Sequence, residues 1–197
     1  MTGAVIDKAA GVDIPFTDNK NRGGARYRAA LGLLMGVERT RQMMKIGFIG
    51  TGNMGGALAR AAVKTVGGAA VAVACSTAEH SAKAAASIGC AAETAEAILR
   101  KSRFVFWGVK PQMFAGVTAK LAEDIAASDA VFVSMLAGVS LDRLAEMLGG
   151  EKKIIRIMPN TPSAVGQGLM LVSANDRVTA EELAAFTDFF MNRFATK

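Results

Sequence analysis

From Lys45 onward, short and wholly apolar runs alternate with longer stretches whose apolar residues recur at every third or fourth position. The runs are "KIGFIG", "AAVAVAC", "RFVFWGV", "AVFVSML", "KIIRIM" and "GLMLVS", each of a length suited to a strand. Between them the pattern predicts helices. Asn53–Val66 is an alanine-rich helical run, and Thr77–Ile88 reads as a second helix. Pro111 suits the first position of a third, which carries Met113, Val117, Leu121 and Ile125 on one face at i, i+4 spacing. Ser140 can cap a helix bearing Leu141, Leu144 and Leu148, with Gly149 as its stop. Thr179 and Glu182 form a capping box ahead of Leu183, Phe186 and Phe190. Strands without polar alternation are buried on both faces, so a mainly parallel sheet covered by helices is expected. The fold class is doubly wound α/β.

Residues 1–43 break this pattern. "TDNKNRGGARYR" is polar, glycine-broken and arginine-rich, and the apolar patch that follows is short. The arginines suggest a targeting peptide, but Asp7, Asp13, Asp18 and Glu38 argue against one, because such peptides are poor in acids. Residues 1–43 are expected to be an N-terminal extension, poorly ordered and without assigned function, ahead of a domain over 44–197.

Composition narrows the function classes. The chain of 197 residues is 51% hydrophobic and 20% charged, enough for one domain with a sizeable core. Its net charge of +6 is shared evenly between Met1–Met44 and the rest, so no basic face dominates the main body. No nucleic-acid partner is expected. No apolar run is long enough to span a bilayer, so no membrane partner is expected either. Cys75 and Cys90 build no disulfide framework, which makes a reducing cytoplasm the default location. The single histidine, His80, argues against a dedicated metal site.

"GFIGTGNMGGA" places Gly50, Gly52 and Gly55 at G-x-G-x-x-G spacing, after a strand and at the start of a helix. In that context each glycine has a distinct task. Gly50 allows the tight turn, Gly52 admits a pyrophosphate to the backbone, and Gly55 permits close packing of helix on strand. The free N–H groups and positive dipole end of the helix then face two phosphates. A Rossmann-type domain binding a dinucleotide is implied. The second strand ends in "ACST" and has no carboxylate at its tip for a ribose 2′-hydroxyl. Ser76 and Thr77 offer hydroxyls there, which favours NADP(H), with NAD(H) as the alternative. His80 and Lys83 read more simply as solvated helix residues, and Cys75 as a strand-end filler.

The glycine turn, "FWGVKPQ", "SMLAGVSL" and "RIMPNTP", in this order, resemble the pyrroline-5-carboxylate reductase family over Met44 to Lys197. That resemblance implies an oxidoreductase acting on CH–NH donors. It would reduce the imine pyrroline-5-carboxylate to L-proline with NAD(P)H, in proline biosynthesis. It also implies roles for particular residues. Thr51, Asn53 and Met54 would line the pyrophosphate turn, and Ser76 would meet the adenosine ribose or its phosphate. Val109, Lys110 and Pro111 would pass under the cofactor, with Ala137 beside the nicotinamide ribose. Asn160, between Pro159 and Pro162 at a strand end, would sit with Thr161 at the reacting face; the prolines limit the ordering that ligand binding requires. No catalytic residue is assigned.

Two features depart from the family pattern. Where the family has an asparagine near the adenine, this chain has "ETAEAI", leaving Thr94 or Ala95. The chain also ends at "NRFATK", where the family's first domain finishes. The helical domain that forms the oligomer and completes the substrate site is therefore expected to be missing. Apolar surface is accordingly expected near Phe189, Phe190 and Phe194. Two other readings compete: another NADP-dependent reductase of the hydroxyacid-dehydrogenase kind, and a catalytically inactive dinucleotide-binding module.

Overall fold

A computed structural model of the chain describes residues 4–7, 12–15, 45–159 and 170–190. The chain divides into two compact units, Met1–Arg41 and Gln42–Lys197. In the first, β1 (Ala4–Asp7) and β2 (Val12–Pro15) form an antiparallel pair with Ala4 opposite Pro15. Nothing in the hydropathy pattern of the extension predicts this pair.

The second unit alternates strand and helix. Its elements run β3 (Ile46–Ile49), α1 (Asn53–Val66), β4 (Val71–Ala74), α2 (Ala78–Ile88), β5 (Ala91–Ala92) and α3 (Ala95–Lys101). They continue through β6 (Phe104–Trp107), α4 (Pro111–Lys120), α5 (Ala122–Ala127), β7 (Val131–Ser134) and α6 (Leu141–Met147). The last are β8 (Ile154–Pro159), β9 (Met170–Ala174) and α7 (Ala180–Phe190). The seven strands lie in the order β5-β4-β3-β6-β7-β8-β9. Every neighbouring pair is parallel except β8 with β9. The doubly wound α/β expectation holds. The antiparallel edge has a simple cause: the segment from Pro159 to Met170 is too short to carry the crossover that a parallel return requires.

Two cores explain why the strands read as continuous apolar runs. On one face Phe48, Phe106, Val133 and Ile157 pack with Leu58 and Ala62 of α1, Ile88 of α2 and Phe186 of α7. The intervening residues, Ile49, Val105, Trp107 and Phe132, face Leu99 of α3, Phe114 of α4, Ile125 of α5 and Leu144 of α6. Successive strand residues thus serve opposite layers. Aromatic rings lock both sides. Phe48 stacks on Phe106 with centroids 4.6 Å apart, and Trp107 meets Phe114 edge-on at 5.3 Å. Burying each such ring contributes about 1.5–3 kcal/mol against leaving it in water.

Two expectations need correction. The run from Pro111 is not one helix, because it breaks at Leu121 between α4 and α5. Met113 is 57% exposed, and the buried face is Phe114, Thr118, Leu121 and Ile125. Extending the pattern of Leu121 and Ile125 backward by fours selects Met113, whereas the larger aromatic one position later fills the space beside Trp107. Phe189 is not part of an exposed apolar surface; it is 7% exposed and belongs to the core beneath α7. The side chain of Phe190, and Phe194, lie outside the described residues. The exposed large apolar residues among those described are Met113, Met158 and Leu171.

Candidate functional site

The strand order reverses direction at β3. From it the chain moves out to β4 and β5 on one side, then returns to β6, β7 and β8 on the other. At such a switch point the loops leaving β3 and β6 diverge and open a crevice at the carboxyl ends of the strands. Those loops are Gly50–Gly52 and Gly108–Lys110.

The glycines of the turn are required for different reasons. Gly50 sits at φ +89°, and a Cβ there would lie 2.8 Å from the backbone of Gly108 and Val109. Gly55 packs so close that a Cβ would come 2.7 Å from the Gly50 carbonyl oxygen. Gly108 completes the contact, since a Cβ on it would overlap that same oxygen. These three glycines serve backbone-on-backbone packing. Gly52 is different: a Cβ there would meet only the Gly108 carbonyl oxygen, at an ordinary 3.6 Å. Nothing within the fold forbids a side chain at Gly52, so its bareness suits something that approaches from outside. Gly108 lies within "FWGVKPQ", but its packing role escaped sequence reasoning because its partner, Gly50, is 58 positions away in the chain.

The helix behind this turn is left open. Gly52 is the N-cap of α1 and provides no side-chain cap, and the first turn contains no acid. The backbone N–H groups of Asn53, Met54 and Gly55 therefore point out of the helix start with no side chain to bond them. They carry the positive end of the helix dipole. Thr51 is anchored sideways, its Oγ1 3.0 Å from Cys75 Sγ at the end of β4.

The tip of β4 separates the roles of its hydroxyls. Thr77 is the N-cap of α2 and accepts the His80 N–H at 3.1 Å, so its oxygen is already engaged. Ser81 is also engaged, accepting the Cys75 N–H at 2.8 Å and donating to the Thr77 carbonyl. Ser76 is exposed, with its Oγ 3.4 Å from His80 Nδ1. Lys83 pairs with Glu79 at 2.8 Å on the solvated side of α2. Ser76 and Thr77 both present hydroxyls at this tip, and the Thr77 cap leaves its O–H free to donate. Thr94 caps α3 in the same way.

On the far wall, Lys110 is the N-cap of α4 in extended backbone, with Pro111 at the first helical position. Lys110 is exposed, as is Ala137 in the turn after β7, next to Gly138 at φ +74°. The structure thus brings Gly50–Gly55, Ser76, Val109–Pro111 and Ala137 to one edge, at the ends of β3, β4, β6 and β7. Asn160 and Thr161 lie outside the described residues. A cavity of about 200 Å³ adjoins the turn between α1 and α2, lined by Thr51, Gly52, Asn53 and Gly56, with Arg60 and Ser87 farther along. No group of three or more metal-ligating side chains occurs among the described residues. No helix there is long and apolar enough to cross a membrane.

Comparison with known proteins identifies relatives of the α/β unit. Residues 45–138 match a family described as NADP oxidoreductase, coenzyme F420-dependent. The pyrroline-5-carboxylate reductase of Escherichia coli is 38% identical over 152 residues, covering 74% of this chain and 55% of that protein. Over its α/β domain, the chain is a relative of the pyrroline-5-carboxylate reductases. Solved structures agree. The pyrroline carboxylate reductase of Plasmodium falciparum, determined with NADP bound, is 25% identical with a TM-score of 0.64, over 75% of this chain and 54% of that one. The 1-pyrroline-5-carboxylate reductase of Streptococcus pyogenes is 28% identical with a TM-score of 0.66, over 79% and 57%. The chain spans about half the length of the curated relatives it matches. The crevice has features that suit a nicotinamide dinucleotide: an open N–H cradle at the start of α1, a bare Gly52 and no carboxylate at the β4 tip.

Proposed function

We propose that this chain is the cofactor-binding domain of a pyrroline-5-carboxylate reductase, which reduces 1-pyrroline-5-carboxylate to L-proline with NADPH in preference to NADH. The observation that carries the reading is the 38% identity over 152 residues, which cover 74% of this chain. In the complete enzyme this is the last step of proline biosynthesis, carried out in the cytoplasm. Assembly into a homo-oligomer belongs to that complete enzyme too.

When bound, the nicotinamide supplies a hydride to the electrophilic carbon of the protonated imine. The chain's own residues bind and orient. Backbone N–H groups from Asn53 to Gly55 hold the pyrophosphate, and Thr51, fixed by Cys75, shapes the approach. Ser76 hydrogen-bonds the 2′-phosphate, where a carboxylate would repel it. Val109, Lys110 and Pro111 form the floor, and Ala137 abuts the nicotinamide ribose. This alignment converts an encounter of two reactants into a reaction within one complex, the main contribution such a site makes.

Calorimetric titration of the purified chain tests the reading. NADPH is expected to bind more tightly than NADH, and pyrroline-5-carboxylate is expected to be the imine whose addition drives NADPH oxidation in the complete enzyme. A chain that binds neither dinucleotide would overturn the proposal.

A further inference from the structure

One row of the sheet departs from its surroundings. On the face toward α4 and α6, one register row runs from Ile49 to Trp107, Ser134, Arg156 and Ser173 across five neighbouring strands. The same face one step earlier is apolar, with Val105, Phe132 and Ile154. A hydroxyl that is 1% exposed and a half-buried guanidinium are costly substitutes for aliphatic side chains unless bonded.

Both are bonded, and to the same loop. Ser134 Oγ accepts the Leu136 N–H at 3.2 Å. Arg156 Nη1 donates to the Val139 carbonyl oxygen at 2.9 Å. Ser134 and Arg156 are direct register partners on β7 and β8. The segment between their two bonds holds Ala137 and Gly138, the latter at φ +74°. Leu136 is buried and Val139 packs against the same core, but Ala137 and Gly138 between them are exposed and have little packing of their own, so the two bonds add to that packing at the ends of the exposed pair.

We propose that Ser134 and Arg156 are positioning residues for the nicotinamide half of the cofactor, clamping the Met135–Val139 turn so that Ala137 stands at a fixed height beside the nicotinamide ribose. This rests on the placement of the cofactor given above. Neither side chain touches the adenosine side, which is held by the β3 and β4 loops. The clamp therefore acts on one half of the ligand only, an asymmetry that general destabilisation would not produce.

The test compares two probes on the purified chain: NADPH, and adenosine 2′,5′-bisphosphate, which retains the adenosine half and lacks the nicotinamide. Arg156→Met keeps the apolar stem and removes the donor. It is expected to weaken NADPH on the order of 10-fold, about one decade or 1.4 kcal/mol, while the bisphosphate keeps its wild-type affinity. Arg156→Lys should recover part of the loss. Transfer of Trp107 emission to the reduced nicotinamide supplies a second readout, since this is the chain's single tryptophan and the register partner of Ser134. It should fall in Arg156→Met at saturating NADPH. If Arg156→Met does not fold, Ser134→Ala carries the same comparison, because it frees the Leu136 N–H without removing a charge. Parallel loss of both probes, or no change in either, would overturn the clamp. A wild-type chain that binds the bisphosphate but gains nothing from the nicotinamide half would overturn it while leaving the adenosine site intact. Wild-type failure with both probes would instead remove the cofactor reading on which the clamp stands.

Discussion

Helices α1 and α4 begin differently from the other helices, and the contrast identifies the ligand edge. Thr77, Thr94 and Ser140 cap α2, α3 and α6 with side-chain oxygens, and each first turn carries an acid, Glu79, Glu96 or Asp142. Helix α7 starts with a reciprocal capping box, Thr179 N–H to Glu182 Oε2 at 3.0 Å and Glu182 N–H to Thr179 Oγ1 at 3.2 Å. Even α5, which continues from α4 without a side-chain cap, has Glu123 and Asp124 in its first turn. Helices α1 and α4 have neither a side-chain cap nor an acid. They follow β3 and β6, the neighbouring strands on either side of the switch-point crevice. Where the protein satisfies its own helix ends it spends hydroxyls and carboxylates; at α1 it leaves the first N–H groups and the dipole uncompensated. Helix α4 starts with Pro111, which has no N–H, and its Met113 N–H bonds the Lys110 carbonyl at 2.9 Å.

The largest expected effect separates the two kinds of glycine in the bare turn. Gly52→Val should weaken NADPH on the order of 100-fold or more, because it blocks phosphate from N–H bonds worth about 1.5–3 kcal/mol each. Its melting temperature should stay close to wild type, since the fold leaves room for that side chain. Gly50→Ala should do the reverse first, destabilising the chain by about 1–3 kcal/mol through its positive φ alone. Equal unfolding of both variants in denaturant would remove the distinction between ligand-facing and packing glycines.

Next is the β4 tip. Ser76→Asp should weaken NADPH about 10-fold, roughly one pKa-unit equivalent of charge repulsion, and NADH far less. Equal losses for both would place Ser76 away from the ribose.

On the capped side, Glu182 supplies a pH test. Burial works to raise its carboxyl, but the hydrogen bonds from Lys153 and the Thr179 N–H, with the charges of Lys153 and Arg103, outweigh it and hold the group below its ordinary range. A depressed native value means the stabilisation is fully present above the unfolded glutamate value of about 4.3 and is lost as pH falls through the native one. Glu182→Gln should therefore cost about 1 kcal/mol at neutral pH, the scale of one cap, and the variant should converge on wild type in acid. A constant gap across the pH range would show that the loss is packing, not charge.

The smallest effect has opposite signs in its two readouts. Asn53→Asp places an acid in the bare first turn of α1. It should stabilise the free chain by about 0.3–1 kcal/mol through the helix dipole while weakening dinucleotide binding. Gains in both stability and affinity would contradict the assignment of that turn to an anionic ligand.

Much of this was legible in the chain itself. The apolar runs located the six longer strands of the second unit, most plainly the inner ones, which are buried on both faces, whereas the edge strand β9 has Leu171 exposed. The span of α1 followed from an alanine-rich stretch between Gly52 and Gly67. The glycine turn announced its chemistry locally, since strand, turn and helix are consecutive in sequence. The two-residue β5 was not legible, being too short to carry a pattern. Nor was the break at Leu121, because a periodic face can be drawn through several registers and only the space beside Trp107 decides which one is buried.

The sequence alone determined the order of the longer elements, the layer architecture and the place of the glycine turn between strand and helix, because each rests on neighbours in the chain. Tertiary structure decided the rest. It showed that Gly108 is as necessary to the turn as Gly50, that Thr77 caps α2 while Ser76 does not, and that β9 runs antiparallel. It also brought Ser134 and Arg156 into register beneath one loop. The reason is common to all four: each depends on groups far apart in the chain or on how a hydroxyl's hydrogen bonds are used, and no local pattern records either.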